Sequence, residues 1–186
     1  NNVLGYIPGT TNPDSFIVFT AHYDHLGRMG KKTIFPGAND NASGTAMIID
    51  LARYYSKPEN RIGKSVLFIA FAGEEAGLVG SKYYVENPLL PIENIRFLLN
   101  LDLKGNGEDG VMVVNGEIHE HEFATLDSIN KHQQLLKTIG KRGSAKNSDH
   151  YWFSQRGVPA FFLYTTGGSK AYHDIYDTAD QLPLTE

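Results

Sequence analysis

The sequence predicts an α/β fold: a three-layer sandwich in which a mixed, mostly parallel sheet carries helices on both faces. Two observations point to it. Short continuous apolar runs alternate with helical stretches, the pattern of strands buried on both faces. Polar residues of metal-ligand type gather at the C-terminal ends of those runs, the edge of an open α/β sheet where sites are built.

Residues 16–21, Phe-Ile-Val-Phe-Thr-Ala, form the first strand, which ends at His22-Tyr23-Asp24-His25. Residues 26–42 are rich in Gly, Lys, Asn and Pro and read as a loop. A helix follows from Ser43 to Lys57, with Ala46, Met47, Ile49 and Ala52 expected on its core side and Pro58 stopping it. The second strand, 64–71, runs straight into Ala72-Gly73-Glu74-Glu75, and a helix spans Leu78 to Asn87 before another Pro. Residues 95–102 make a third strand ending in Asn100-Leu101-Asp102. Val111–Val114 is a shorter strand, Glu120 to Leu136 a helix, Ser148 to Gln155 a helix opening, and Ala160–Tyr164 a last core strand.

The 186 residues are expected to form one catalytic domain, 1–186, with no internal repeat or linker. Net charge is −4 with the two signs interspersed, so no basic stripe is available to displace phosphate counterions and nucleic acid is excluded as the main partner. No apolar run approaches the roughly 20 residues of a membrane span. The absence of Cys removes disulfides, thiolate zinc ligands and thiol nucleophiles. The chain opens on Asn1-Asn2, without initiator Met or signal peptide, as a processed or trimmed form would. That leaves room for a pro-segment or accessory domain outside it.

Three strand ends carry the chemistry: His22 and Asp24, then Glu74 and Glu75, then Asp102. Two loops add Asp40, in Gly-Ala-Asn-Asp-Asn-Ala-Ser-Gly, and His173, in Tyr-His-Asp-Ile-Tyr-Asp-Thr. Imidazole and carboxylate together suit zinc, and carboxylates can bridge two ions. Each piece alone has an ordinary reading. His22 could be a hydrogen-bonded histidine at a strand end, and Glu74–Glu75 an acidic pair favouring a helix N-terminus. The weight lies in their number and order.

Ala-His-Tyr-Asp (21–24), Gly-Ala-Asn-Asp-Asn-Ala-Ser-Gly (37–44), Ala-Gly-Glu-Glu-Ala-Gly-Leu-Val-Gly-Ser (72–81), Asn-Leu-Asp (100–102), Ser-Asp-His (148–150) and Tyr-His-Asp (172–174) follow one another along nearly the whole chain. In this order they resemble the co-catalytic zinc aminopeptidases, a family that also holds glutaminyl cyclases and glutamate carboxypeptidases. The resemblance implies two Zn²⁺ ions, with His22 and Asp102 on one, Glu75 and His173 on the other, and Asp40 bridging. Four positive charges would then meet the carboxylates of Asp40, Glu75, Asp102 and Glu74, so the centre is near neutral. It further implies that Glu74 is the general base, that Asp24 orients the His22 ring, and that Tyr172 donates to the developing oxyanion. A cis peptide at Asp40–Asn41 is carried over in the same way. The implied substrates are peptides with a free N-terminus, and the implied setting is exported: periplasmic, cell-surface or secreted.

Other candidates read as bystanders. His25 is placed as a loop or rim residue, and His119, His121 and His132 as solvated surface. Ser148-Asp149-His150 lacks a nucleophile elbow and so is no serine triad; Asp149 and His150 are expected near the metals or on the substrate side. Trp152 and Phe153 are assigned to the core, and Gly167-Gly168-Ser169 to the rim of a pocket. Within the resemblance the alternatives are a single-zinc glutaminyl cyclase, a carboxypeptidase and a non-catalytic receptor-type domain. The cyclases usually carry Trp before the last His, where this chain has Tyr172.

Overall fold

Strand β2 (Asn12–His22) divides its side chains by parity, as a strand covered on both faces must. Phe16 and Val18 enter one core, and Phe19 and Ala21 enter the other. The structure is a computed structural model and describes residues 1–168 and 170–183. Its other elements are β1 (Val3–Ile7), β3 (Gly27–Met29), β4 (Thr33–Phe35), α1 (Gly44–Ser56), β5 (Lys64–Phe71), α2 (Val79–Glu86) and β6 (Ile95–Leu101). They continue with β7 (Gly110–Val114), α3 (Glu120–Gln133), β8 (Ile139–Arg142), α4 (His150–Gln155) and β9 (Ala160–Thr166), beside short single turns.

Seven strands form one sheet in the order β1-β5-β2-β6-β9-β7-β8. The central pairs β5·β2, β2·β6 and β6·β9 are parallel, as is β7·β8, whereas β1·β5 and β7·β9 are antiparallel. On one face, Leu67, Ile69 and Phe71 of β5 pack with Tyr84 and Val85 of α2 and Phe153 of α4. On the other, Val66 and Phe68 of β5 meet Ile48, Leu51 and Tyr55 of α1, and Val111, Val113 and Phe161 meet Phe123 and Leu126 of α3. The expected three layers are therefore present. The chain leaves β2 through α1 to reach β5 on one side, then through α2 to reach β6 on the other. This reversal at β2 opens a crevice at the C-terminal ends of β5, β2 and β6.

Several expectations need correction. The segment 26–42 contains the β3–β4 hairpin rather than loop alone. The sequence carries no clear signal for the edge strands β1 and β8, since each is short and half exposed. On α1, Ala46, Met47 and Ile49 face outward, while Gly44, Ile48, Leu51, Ala52 and Tyr55 face the sheet. Gly44 sets that rotation: a Cβ there would stand 2.3 Å from the Leu101 carbonyl oxygen, so bare backbone lies against the end of β6. His119 is half-buried against Phe97 and Phe161, whereas His121 and His132 are exposed. Phe153 is fully buried, and Trp152 packs on the same core under Lys82 and Lys146. Ser169 of the expected rim lies outside the described residues.

Candidate metal centre

His22 ends β2, Glu74 and Glu75 follow β5, and Asp102 follows β6, so three neighbouring strands deliver their polar ends to one crevice. Asp40 reaches them from the turn before α1. This turn, Ala38–Ser43, carries a cis peptide at Asp40–Asn41. Asn41 fastens it to β6 by donating to the Leu101 carbonyl at 3.0 Å. Asp177 fastens its other side: its two carboxylate oxygens accept the Asn39 and Asp40 N–H groups at 2.8 and 3.0 Å. The segment holding His173 and the segment holding Asp40 are thereby tied together.

The five expected ligand residues meet. His22 Nε2 lies 3.3 Å from Asp40 Oδ1 and 3.5 Å from Asp102 Oδ2. His173 Nε2 lies 3.2 Å from Asp40 Oδ2 and 3.1 Å from Glu75 Oε2. Ligands about 2.0–2.1 Å from a tetrahedral ion stand roughly 3.3–3.5 Å apart, so these separations match edges of coordination polyhedra. Asp40 offers one oxygen to each histidine. His22 Nε2 and Asp102 Oδ1 are buried without a hydrogen-bond partner, which in a native interior calls for an explanation such as an ion.

Electrostatics point the same way. Burial pulls the His22 imidazole down, yet the carboxylates of Asp102 and Asp40 prevail and hold it up to about 12. Burial, with Asp149, Asp102 and Glu75 nearby, raises Glu74 to about 8 against the pull of His22. Burial and Asp40 also raise Glu75. Crowded buried carboxylates that resist ionisation mark a pocket short of positive charge.

The supporting groups differ from the expected ones. His22 Nδ1 meets the backbone oxygen of Asp24 at 3.1 Å, while the Asp24 carboxylate stands off at 3.8 Å. That carboxylate instead accepts the N–H groups of Glu74 and Glu75 at 3.1 and 3.3 Å, and so fixes the turn that aims both glutamates. A buried relay runs from Thr20 through Asn100 and Ser148 to Asp102. The Thr20 hydroxyl donates to Asn100 Oδ1 at 2.6 Å, Asn100 Nδ2 to Ser148 Oγ at 2.7 Å, and Ser148 Oγ to Asp102 Oδ2 at 2.9 Å. Asp149 is fully buried close by, pushed up to about 7 by burial and only partly offset by Ser81. His150 lies against the Phe162 ring and is held down to about 4 by burial, hence neutral. His25, expected on the rim, has its Nδ1 2.8 Å from Glu75 Oε1.

A cavity of about 140 Å³ opens on this cluster, lined by Asp40, Glu74, Asp102, Asn147, Phe162, Tyr164 and Tyr172 among others. The Tyr172 ring is stacked on His173 with centroids 4.0 Å apart. Burial and the carboxylates of Asp40, Asp102, Glu75 and Glu74 push its phenol up to about 12, so it stays a neutral donor. A larger groove, about 680 Å³ between the chain start and α2, shares none of these residues.

Comparison with known proteins agrees with this geometry. A leucine aminopeptidase of Arthroderma otae, so named as probable, is 27% identical over 97% of this chain and 52% of its own length. A probable zinc metalloprotease of Pyrenophora teres f. teres is 36% identical over 57% of this chain and 22% of its own. The structure of a zinc aminopeptidase from Bacillus subtilis superposes with a TM-score of 0.78 at 25% identity, covering 98% of this chain and 45% of that one. An aminopeptidase from Aneurinibacillus sp. strain AM-1 gives 0.78 at 26% identity, over 98% and 43%. The chain thus spans about half the length, or less, of these relatives. The family pattern of peptidase family M28 is matched from residue 2 to residue 186, and the chain belongs to that family.

Proposed function

We propose that this chain is the catalytic domain of a metal-dependent aminopeptidase that removes N-terminal residues from peptides with two Zn²⁺ ions. The observation that carries the reading is the divided Asp40 carboxylate, with Oδ1 toward His22 and Oδ2 toward His173. His22 and Asp102 would hold one ion, Glu75 and His173 the other, and Asp40 both. The donors present are imidazole and carboxylate, a set that zinc accepts, and two of their atoms, His22 Nε2 and Asp102 Oδ1, have no hydrogen-bond partner. When bound, such ions acidify water and polarise a carbonyl oxygen.

The chain's own residues do the remaining work. Glu74 lines the cavity beside Asp40 and Asp102, where its carboxylate can take a proton from the attacking water and return it to the leaving amine. Tyr172 lines the same cavity and, kept protonated, can donate its hydroxyl to the oxygen that gains charge. Phe162 and Tyr164 form an aromatic wall that suits an apolar side chain on the substrate's first residue. The preference for a free N-terminus follows the relatives, which are named aminopeptidases.

A panel of aminoacyl-amide substrates tests this reading. Hydrolysis of unblocked substrates is expected, with loss on chelation, recovery on zinc re-addition and no cleavage of N-acetylated analogues. Cleavage of blocked substrates, or activity that survives metal removal, would reject it. The relation to a glutaminyl cyclase from an Acidobacteriales bacterium (21% identity) is one of fold alone. Cyclisation of an N-terminal glutamine without hydrolysis would favour that alternative.

A further inference from the structure

His25 lies in the turn between β2 and β3, yet its side chain is 9% exposed. It looks inward at Glu75, 50 positions along the chain. The two Glu75 oxygens are divided: Oε2 faces His173 Nε2 at 3.1 Å, and Oε1 faces His25 Nδ1 at 2.8 Å. Oε1 sits off the direction in which a ring N–H would point, so the contact is close without being an aligned hydrogen bond. Both ring nitrogens of His25, like Oε1, are buried with no hydrogen bond.

The imidazole is walled in. Its ring meets that of His173 edge-on, with centroids 5.9 Å apart. Behind it stands Gly37, where a Cβ would lie 2.5 Å from the His25 Cγ. Gly37 has φ +66°, so both its conformation and its missing side chain keep that space open. A histidine of the turn is thus lodged between bare backbone and a carboxylate of the centre, with Asp40 also in range of the same group of ligand atoms.

We propose that His25 is a positioning residue for the ion held by Glu75, Asp40 and His173. Its Nδ1–H takes Glu75 Oε1 and leaves Oε2 as the single oxygen directed at that ion. The inference rests on the two-ion reading above. An outer partner of this kind, which fixes how a ligating carboxylate is presented, typically changes metal affinity about 10–100-fold.

Zinc titration of the chelator-stripped protein against a chromophoric competitor tests it without reference to activity. The wild type is expected to show two binding steps. In His25→Ala one step should weaken about 10–100-fold while the other keeps its affinity. His25→Asn, whose amide nitrogen can sit near the place of Nδ1, should recover most of the loss. Two unchanged steps in His25→Ala overturn the assignment, as does an equal weakening of both, which would signal general loosening of the site. A wild type with one step would instead remove the two-ion reading, and this proposal with it.

Discussion

Glu74→Gln is expected to lower kcat by about 10²–10⁴ while leaving zinc content unchanged, because it removes proton transfer and keeps every metal ligand. The amide is nearly isosteric and cannot accept the water proton. The fold should not suffer. Burial already raises the Glu74 carboxyl to about 8, so its ionised form is disfavoured in the protein alone, and a neutral side chain relieves that cost. Steady-state kinetics, zinc analysis and a thermal melt on the same sample check the three parts. A variant within a few-fold of wild-type kcat would mean that another group moves the proton. Asp149 would be the first suspect, since it is buried and pushed up to about 7.

Asp40→Ala is expected to cost more than any other ligand change, because each Asp40 oxygen faces a different histidine. Both ions should be lost together on dialysis, and activity with them, by a factor above the 10–100 typical of outer partners. The loop itself is held by Asp177 through the backbone N–H groups of Asn39 and Asp40, which survive the substitution. In the metal-free protein the buried Asp40 carboxylate stands 3.3 Å from His22 and 3.2 Å from His173, so its removal leaves both without one partner and the melting temperature should fall. Metal analysis after dialysis, beside a melt of the stripped protein, checks this. Retention of two ions by the variant would show that Asp40 does not bridge.

The sheet was readable from its apolar runs, and His22, Glu75 and Asp102 stand out because each lies at the end of one, whereas Asp40 and His173 lie in loops and were marked by the resemblance alone. Residues such as Phe16, Val18, Phe68 and Ile69 leave little choice of structure. The face of α1 was harder. Met47, Ile48, Ile49 and Leu51 offer competing apolar stripes, and the close approach of Gly44 to Leu101 decides between them. Local sequence gives no sign of His25, since its partner Glu75 is brought near only by the β2·β5 pairing. The Thr20–Asn100–Ser148 relay did leave a trace: Thr20 and Asn100 are polar residues inside otherwise apolar runs, and buried polar groups must find partners. Asp24 stood beside His22 in the sequence, but the turn after β5 claimed its carboxylate instead.

Diffraction at the zinc absorption edge, from crystals grown with the metal, tests the central claim most directly. Two anomalous peaks are predicted roughly 3.5–4 Å apart, one against His22 and Asp102, the other against Glu75 and His173, with Asp40 touching both. A single peak, or two that leave Asp40 unbound, would contradict it.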